Sequence, residues 1–403
     1  MSTSFLPTWL YKDQKIFELE LDNYSKNYWH PLIFIGEIKP GEILEKKFFN
    51  QSLLISCSEK NLIMSDNFLP TWLYQDEKIF EFELDKYSKN YWHPLIFVGE
   101  IKPGEILERK FFNQSLFISC LENNSIAVFK NRCPHRGSEL CLPKTKLNPS
   151  KSIFCPYHGW TFDGFGKLKT LPLKDDFEIK IELGDYFLEE VNSLVNGPLI
   201  WINLSKKPIS IDDQIELVAS ECTNEWQKNY SAFSEFSNTL NCNWKIAHDN
   251  TLDDYHVAVA HKDTLHKEQG PIKNYKYFFS EFCNVLVTPL SSEDNLYTFG
   301  LLPWTHLIIW PGKGILLISY LPENINHCTL EIKLASASLS SKDLEIWKRS
   351  ILKFLEEDKV IVESVHKSYK EKFKIGPPNK LEKRIIHWQK IYKKFLHASG
   401  ISF

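Results

Sequence analysis

Two short stretches carry the strongest chemical signal: Cys133-Pro-His135-Arg-Gly137 and Cys155-Pro-Tyr-His158-Gly159-Trp160, with nineteen residues separating His135 from Cys155. Each offers one thiolate and one imidazole inside a turn-rich loop. A structural zinc site commonly presents its cysteines as one pair and its histidines as another. One of each per loop suits a dinuclear iron–sulfur cluster, where two thiolates hold one iron and two neutral imidazoles the other. Gly137 and Gly159 allow tight loops whose amides can approach the cluster, and Pro134 and Pro156 stiffen them. A zinc ribbon is the alternative that these residues leave open.

A second constellation lies in residues 243 to 261, NWKIAHDNTLDDYHVAVAH. His256 and His261 are five residues apart, so a regular helix would separate their directions by roughly 140°. Both can meet one metal only if the helix ends or distorts between them. His266 is a rival ligand, and Asp253 lies three residues, about one helical turn, before His256. Further on, residues 342 to 372 read as a helix with an apolar stripe of Trp347, Ile351, Phe354, Leu355, Ile361, Val362 and Val365. Asp358 falls on that stripe. A buried carboxylate must neutralise or find a cation, and a bound metal is a reason to keep one there. Glu356 and Glu357 project to the side and read as solvated charges, with Glu357 the second choice of ligand. Two histidines and a carboxylate on one face of Fe(II) leave positions open for dioxygen.

From about residue 68 to the C-terminus the chain resembles the large (α) subunits of the Rieske non-haem iron oxygenases, of the aromatic-ring-hydroxylating dioxygenase and amine monooxygenase type. The resemblance rests on CPHRG, CPYHGWTFDGFGKL, the 243–261 segment, Glu357-Asp358 and the closing LEKRIIHWQKIY. It implies a Rieske [2Fe-2S] cluster on Cys133, His135, Cys155 and His158, and a mononuclear Fe(II) on His256, His261 and Asp358. Asp253 would be the catalytic bridge that passes electrons from the cluster, through a cluster histidine such as His158 of a neighbouring subunit, to the iron. A reductase, with or without a ferredoxin, would bring electrons from NAD(P)H. Dioxygen and a small organic substrate, an aromatic compound or a quaternary amine, would undergo hydroxylation, dihydroxylation or oxidative demethylation. Homotrimers are implied. Asp249 stands where the family commonly has Glu, and His248 before it is unusual. The competing function is an electron-transfer or ligand-binding protein without a working iron site.

The implied fold is α+β: a small β-rich Rieske domain, then a helix-grip (START-like) catalytic domain with an antiparallel sheet around a long C-terminal helix. The elements agree with this. Short β-rich segments such as IAVFKNRC, GPLIWINLS, CNVLVTPL and GILLISYLPE are separated by turn residues, and helical patterns flank the β-rich stretch from about 278 to 338. Pro311-Gly312-Lys313 reads as a turn between two strands. Aromatics at Tyr275, Tyr277, Phe278, Phe279, Trp304 and Trp310 could line a flat substrate, cage an organic cation, or serve as core.

Residues 5 to 57 recur at 68 to 120, with only seven differences, among them Lys12 against Gln75 and Leu54 against Phe117. Each copy reads as a helix, a strand pair about Lys-Pro-Gly (102 to 104 in the second copy), and one further strand. Only the second copy runs into the first cysteine loop, so it should hold the native place. The expected organisation is therefore 1–66, a surplus copy; 68–200, the Rieske domain with its lead-in; and 201–403, the catalytic domain.

With 403 residues, 43% hydrophobic and 25% charged, the chain has the composition of a folded globular protein. A formal net charge of -3 gives no basic field for nucleic acid. No apolar run approaches the roughly 20 residues of a membrane span, and the N-terminus lacks a secretory pattern. Nine scattered cysteines then suit a reducing, cytoplasmic setting, with any cysteine chemistry being metal binding or catalysis.

Overall fold

The computed structural model describes residues 68–401 apart from 142–151, 270, 292–293 and 372–374, together with the helix Gln14–Asn27 and the strands Ile43–Phe48 and Gln51–Ser56. The chain divides into two compact units, Met1–Asp66 and Asn67–Phe403. The first unit holds that helix and an antiparallel hairpin of the two strands. These are the counterparts of Glu77–Asn90, Ile106–Phe111 and Gln114–Cys120 in the second unit. The first copy's counterpart of His93–Phe97 lies outside the described residues.

In the second unit, six antiparallel strands form one sheet in the order His93–Phe97, Leu199–Asn203, Glu190–Asn196, Ile126–Lys130, Gln114–Cys120, Ile106–Phe111. The expected strand pair about Lys102-Pro103-Gly104 is corrected here. His93–Phe97 and Ile106–Phe111 lie at opposite edges, and the hairpin is Ile106–Phe111 with Gln114–Cys120, closed where Phe112 takes a φ of 51°. The Pro-Gly turn reverses the chain, but burial chooses the partner: Leu95, Ile96 and Phe97 are all buried, and Leu199–Asn203 pairs with them. Both cysteine loops spring from strand ends. The first follows Ile126–Lys130; the second joins Ile153–Phe154 to Thr161–Phe162 in a three-stranded sheet.

Seven antiparallel strands from Ala232–Leu240 to Lys276–Phe279 build the second sheet. Its strands are apolar on both faces, and period-two alternation sorts them. Ile308, Trp310, Leu316, Ile318, Leu330 and Ile332 join the core under the helices. Leu307, Ile309, Ile315 and Leu317 face the opposite way, onto Phe97, Leu199 and Trp201 of the six-stranded sheet and Trp92 just ahead of its first strand. The helix Ser341–Tyr369 lies along the first face. Ser340 caps it by accepting from the Asp343 amide, and its buried stripe is Leu344, Trp347, Ile351, Leu355, Asp358, Val362 and His366. Among the described residues no helix is long and apolar enough to cross a membrane.

The lead-in of the second copy packs with this helical core: Leu69, Leu73, Tyr74, Ile79, Phe80 and Tyr87 are all members. At its centre Glu83, fully buried, accepts from Lys245 Nζ at 2.8 Å and from Trp244 Nε1 at 3.0 Å, and the Tyr392 hydroxyl also donates to it. One buried carboxylate thus ties the lead-in helix, the Trp244–Leu252 helix and the closing helix Lys383–Ala398 together. Removing one partner of such a pair strands a charge in the core. Lys245→Met should lower the urea unfolding free energy by about 3–5 kcal/mol, and Glu83→Gln added to it should restore part of the loss. Additive losses in the double variant would contradict that coupling.

Candidate metal centres

The two cysteine loops share one backbone plan. The Gly137 amide donates to the Cys133 carbonyl and the Gly159 amide to the Cys155 carbonyl, while the Cys133 and Cys155 amides donate to the carbonyls of Ser138 and Trp160. Gly137 and Gly159 take φ of 77° and 73°, a left-handed conformation that side chains disfavour. Cys133 and Cys155 are buried, whereas His135 and His158 are only half-buried. The two imidazoles lie 4.6 Å apart between centroids, and Trp160 stacks flat on His135. Burial, with Cys155 alongside, pushes the Cys133 thiol up to about 11.

The donor set fits a cluster. The Nδ1 atoms of both His135 and His158 are buried without a hydrogen-bond partner, as ligand atoms awaiting a metal would be. A tetrahedral zinc would instead gather all four donor atoms within about 4 Å of one another. The four are not so gathered: among the described residues, His256, His261 and Asp358 are the group whose ligand atoms lie within 4.8 Å of one another. Spread donors, two thiols inward and two imidazoles outward, suit a [2Fe-2S] unit whose histidine-bound iron faces the surface.

The second site is built on a broken helix. The Trp244–Leu252 helix stops at Asp253, whose extended backbone and side chain turn the chain by accepting from the amides of Tyr255 and His256. Asp253 and His256 therefore share a turn rather than a helical face. A single helical turn follows, Val257–Ala260, with His256 at its N-cap and His261 at its C-cap. That break is what the five-residue spacing requires. The Nε2 atoms of His256 and His261 lie 3.1 Å apart, and Asp358 Oδ1 is 3.3 Å from the first and 3.0 Å from the second. Three ligand atoms at right angles about a metal, each about 2.1 Å from it, are themselves about 3.0 Å apart. The arrangement therefore fits a facial triad. His266 lies outside this group, on the Leu265–Gln269 helix.

Neighbouring groups aim the ligands. Glu357 Oε2 lies 2.7 Å from His261 Nδ1 and accepts from Thr264 Oγ1 at 2.7 Å, so it is not the solvated charge expected from the sequence. With Nδ1 protonated against Glu357, the lone pair of Nε2 is left for a metal. Asn250 Nδ2 donates to Asp358 Oδ1 at 2.7 Å. Asp253 Oδ2 stands 3.4 Å from His256 Nδ1. Burial pulls His256 down, but Asp253 and Asp358 outweigh it and hold the imidazole up to about 10. Burial likewise pushes Asp358 up, and the two histidines bring it below the ordinary carboxylate range. This carboxylate is kept charged and supplied with positive partners, which is what a metal would provide. Beside the turn, buried Asp254 pairs with fully buried Arg384 at 3.2 Å. Arg384 also donates to Asn284 and the Thr298 carbonyl, pinning the turn to the sheet.

A cavity opens on all three triad residues. Leu286, Leu296, Ile308, Leu316 and Ile318 make its sheet wall; Trp310, Phe354 and Asp254 add two rings and a carboxylate. Of the six aromatics singled out in the sequence, Trp310 alone lines this cavity. Trp304 is fully buried core, and Phe278 and Phe279 are exposed. Phe354, on the helix stripe, was visible in the sequence only as a core residue.

Residues 91–186 match the model of the Rieske [2Fe-2S] domain, and residues 227–287 match the ring hydroxylating alpha subunit catalytic domain. The chain pairs a Rieske domain with a ring-hydroxylating α catalytic domain, and its homologues are Rieske non-haem iron mono- and dioxygenases. The carnitine monooxygenase oxygenase subunit of Acinetobacter pittii is 25% identical over 75% of this chain and 85% of its own length. The chloroplastic choline monooxygenase of Arabidopsis thaliana is 31% identical, over 49% of each chain. In fold, the chain superposes on a quaternary ammonium Rieske monooxygenase bound to an inhibitor with a TM-score of 0.72, at 22% identity over 82% of this chain and 97% of that one. Naphthalene 1,2-dioxygenase gives 0.65, at 16% identity over 83% and 95%.

Glu357→Ala should weaken iron retention at the triad by about 10 to 100-fold, as outer-shell losses do. Acid-labile sulfide should stay unchanged; an equal loss of both would mean general misfolding. Asp249 gives a pH prediction. Loss of hydration raises it to about 7, against hydrogen bonds from Tyr74 and Gln389 that lower it. The folded protein then holds a proton that the unfolded chain has released. The stability from this group is present below its unfolded value of 3.8 and is lost as pH rises toward about 7. Between pH 4 and 7, Asp249→Asn should therefore show a flatter fall of unfolding free energy than wild type; parallel curves would contradict the assignment.

Proposed function

We propose that the chain is the oxygenase component of a quaternary-amine monooxygenase. The observation that carries the reading is one cavity joining a histidine–histidine–carboxylate triad to two aromatic rings, which suit an alkylammonium group. The carnitine, glycine betaine and choline monooxygenases among its relatives support it. Cys133, His135, Cys155 and His158 would hold the [2Fe-2S] cluster, and His256, His261 and Asp358 the Fe(II). Bound there, the iron supplies dioxygen activation at its open positions.

The residues of the chain do the rest. The aliphatic sheet wall and Trp310 exclude water and orient the alkyl groups, while the rings of Trp310 and Phe354 offer their faces to the ammonium head. Asp253, against His256, is the link toward a cluster. Overall, a C–H bond, one dioxygen, two electrons and two protons become a C–OH bond and water. A hydroxyl on a carbon beside the quaternary nitrogen then gives a carbonyl compound, as the C–N bond breaks, the amine leaves with the bonding pair and the hydroxyl proton is released. The electrons would come from NAD(P)H through a reductase, with or without a ferredoxin. We also propose a cytoplasmic homotrimer in which a cluster faces the iron of a neighbouring subunit; inter-subunit electron transfer is named for a structurally similar monooxygenase. The division into 1–66, a surplus copy, 68–200 and 201–403 is part of the same reading.

The second reading, ring hydroxylation of an aromatic compound, is favoured by the mostly aliphatic cavity wall and by the fold shared with naphthalene 1,2-dioxygenase. A substrate panel separates them. With a reductase and NADH, oxygen uptake matched by amine or aldehyde release should appear with choline, glycine betaine or carnitine. Coupled uptake with naphthalene and none with the amines would overturn the amine reading.

A further inference from the structure

A buried phenol stands beside the reaction cavity without a part in the reaction proposed above. Thr251 lines that cavity, and its Oγ1 lies 2.7 Å from the hydroxyl of Tyr320, which is 2% exposed. Burial first, and then the nearby charge of Asp358, raise the Tyr320 hydroxyl above its ordinary range, so the phenol keeps its proton. From Tyr320 a run of rings leads away from the cavity. His306 lies 5.8 Å from it between ring centroids, His248 4.5 Å from His306, and Trp388 4.8 Å from His248. Trp388 stacks on Tyr392 at 5.3 Å, Tyr392 meets Tyr87 at 6.4 Å, and Tyr87 meets Tyr91 at 5.5 Å. Tyr91 is the member nearest solvent, 8% exposed against 2% or less for the others.

Three features set this run apart from ordinary core. Tyrosine and tryptophan give up one electron far more readily than phenylalanine or an aliphatic side chain, so rings of these types in succession form a path for an oxidising equivalent. Both Tyr320 and Tyr392 also have a group to receive the proton that leaves with the electron: Tyr320 faces Thr251 Oγ1, and the Tyr392 hydroxyl donates to Glu83. The imidazoles between them are neutral, since burial pushes His248 down to about 3 and His306 well below its ordinary value. Neither nitrogen of either ring has a hydrogen-bond partner. Unpaired polar rings are costly as packing material, whereas uncharged rings set no repulsion against a positive charge moving past them.

We propose that Tyr320, Trp388 and Tyr392, bridged by His306 and His248, form a one-electron route that discharges toward Tyr91 an oxidant present at the triad when no substrate is in place. The oxidant is a peroxide and the final reductant a thiol. Hydrogen peroxide takes two electrons and two protons and becomes two waters as its O–O bond breaks; Tyr320 and Tyr392 each lose one electron and one proton and become neutral radicals. One of the protons taken up comes from Tyr320 through Thr251 and the other from solvent, while the Tyr392 proton waits on Glu83. Two thiols then supply the electrons, and an S–S bond replaces two S–H bonds. One thiol proton restores Tyr320, the other returns to solvent, and Glu83 gives its proton back to Tyr392. This route presupposes the iron site of the proposed function and is indifferent to whether an amine or an arene is oxidised.

Freeze-quench EPR tests it on the full-length, iron-loaded protein, with the cluster oxidised and no substrate present, after mixing with hydrogen peroxide. An organic-radical signal should form, narrow in protein carrying ring-deuterated tyrosine, and decay faster when glutathione is added. Tyr320→Phe keeps the ring but removes the phenol; it should lose most of the signal and move oxidation onto Trp310 and His256, read by peptide mass spectrometry. Tyr392→Phe should lose the longer-lived part of the signal, because Glu83 no longer has a phenol to deprotonate. Iron and sulfide contents should match wild type in both variants. A full-strength signal in Tyr320→Phe, unchanged decay in Tyr392→Phe, or a line shape indifferent to deuteration would each overturn the proposal. So would the absence of any radical in wild-type protein that holds iron and consumes peroxide. A protein that binds no iron at the triad would overturn the iron site itself, and this route with it.

Discussion

A carboxylate on the buried face of a long helix is the constraint around which the catalytic half is arranged. Asp358 occupies the same stripe as Leu355 and Val362, where an uncompensated charge would be costly. Every neighbour answers that cost: two imidazole nitrogens and the Asn250 amide point at its Oδ1. The compensation is directional, and its geometry is that of three ligands about one metal. Stability and function thus make the same demand here, since the groups that tolerate the buried charge are those that would hold iron.

The histidines reach Asp358 because the backbone is broken at the required place. Asp253 ends one helix, and its side chain rebuilds a turn that delivers His256 to one end of a single helical turn and His261 to the other. Buried ion pairs secure this unusual turn from behind. Arg384 holds Asp254, and Lys245 with Glu83 joins the same helix to the lead-in and closing helices. Such pairs contribute little net stability but penalise every alternative packing that would separate them. The site is therefore rigid where it carries ligands and open toward the aliphatic cavity wall.

The ligand residues were legible because each had a chemical oddity at short range: alternating cysteine and histidine in turn-rich loops, or an acid on an apolar helical stripe. The strands were legible too, since period-two alternation and turn residues mark them locally. What stayed hidden depends on contacts between distant segments. Glu357 read as a solvated charge because its partner, His261, lies 96 residues away in sequence. The hairpin was misplaced because Pro103-Gly104 is a strong turn signal, while the competing partner of His93–Phe97 comes from Leu199–Asn203. The loyalty of the lead-in to the catalytic core rests on Glu83, one acid among several on an amphipathic helix, whose burial no local pattern announces.

On the proposed reading one chain carries two separate iron centres, a dinuclear cluster and a mononuclear triad. Counting iron and acid-labile sulfide after anaerobic reconstitution, in wild type and in Asp358→Ala, tests it most directly. Wild type should hold three irons and two sulfides, falling to two and two in the variant, with the reduced-cluster EPR signal unchanged. Two irons in both proteins would contradict the second centre, and bound zinc without sulfide would contradict the first.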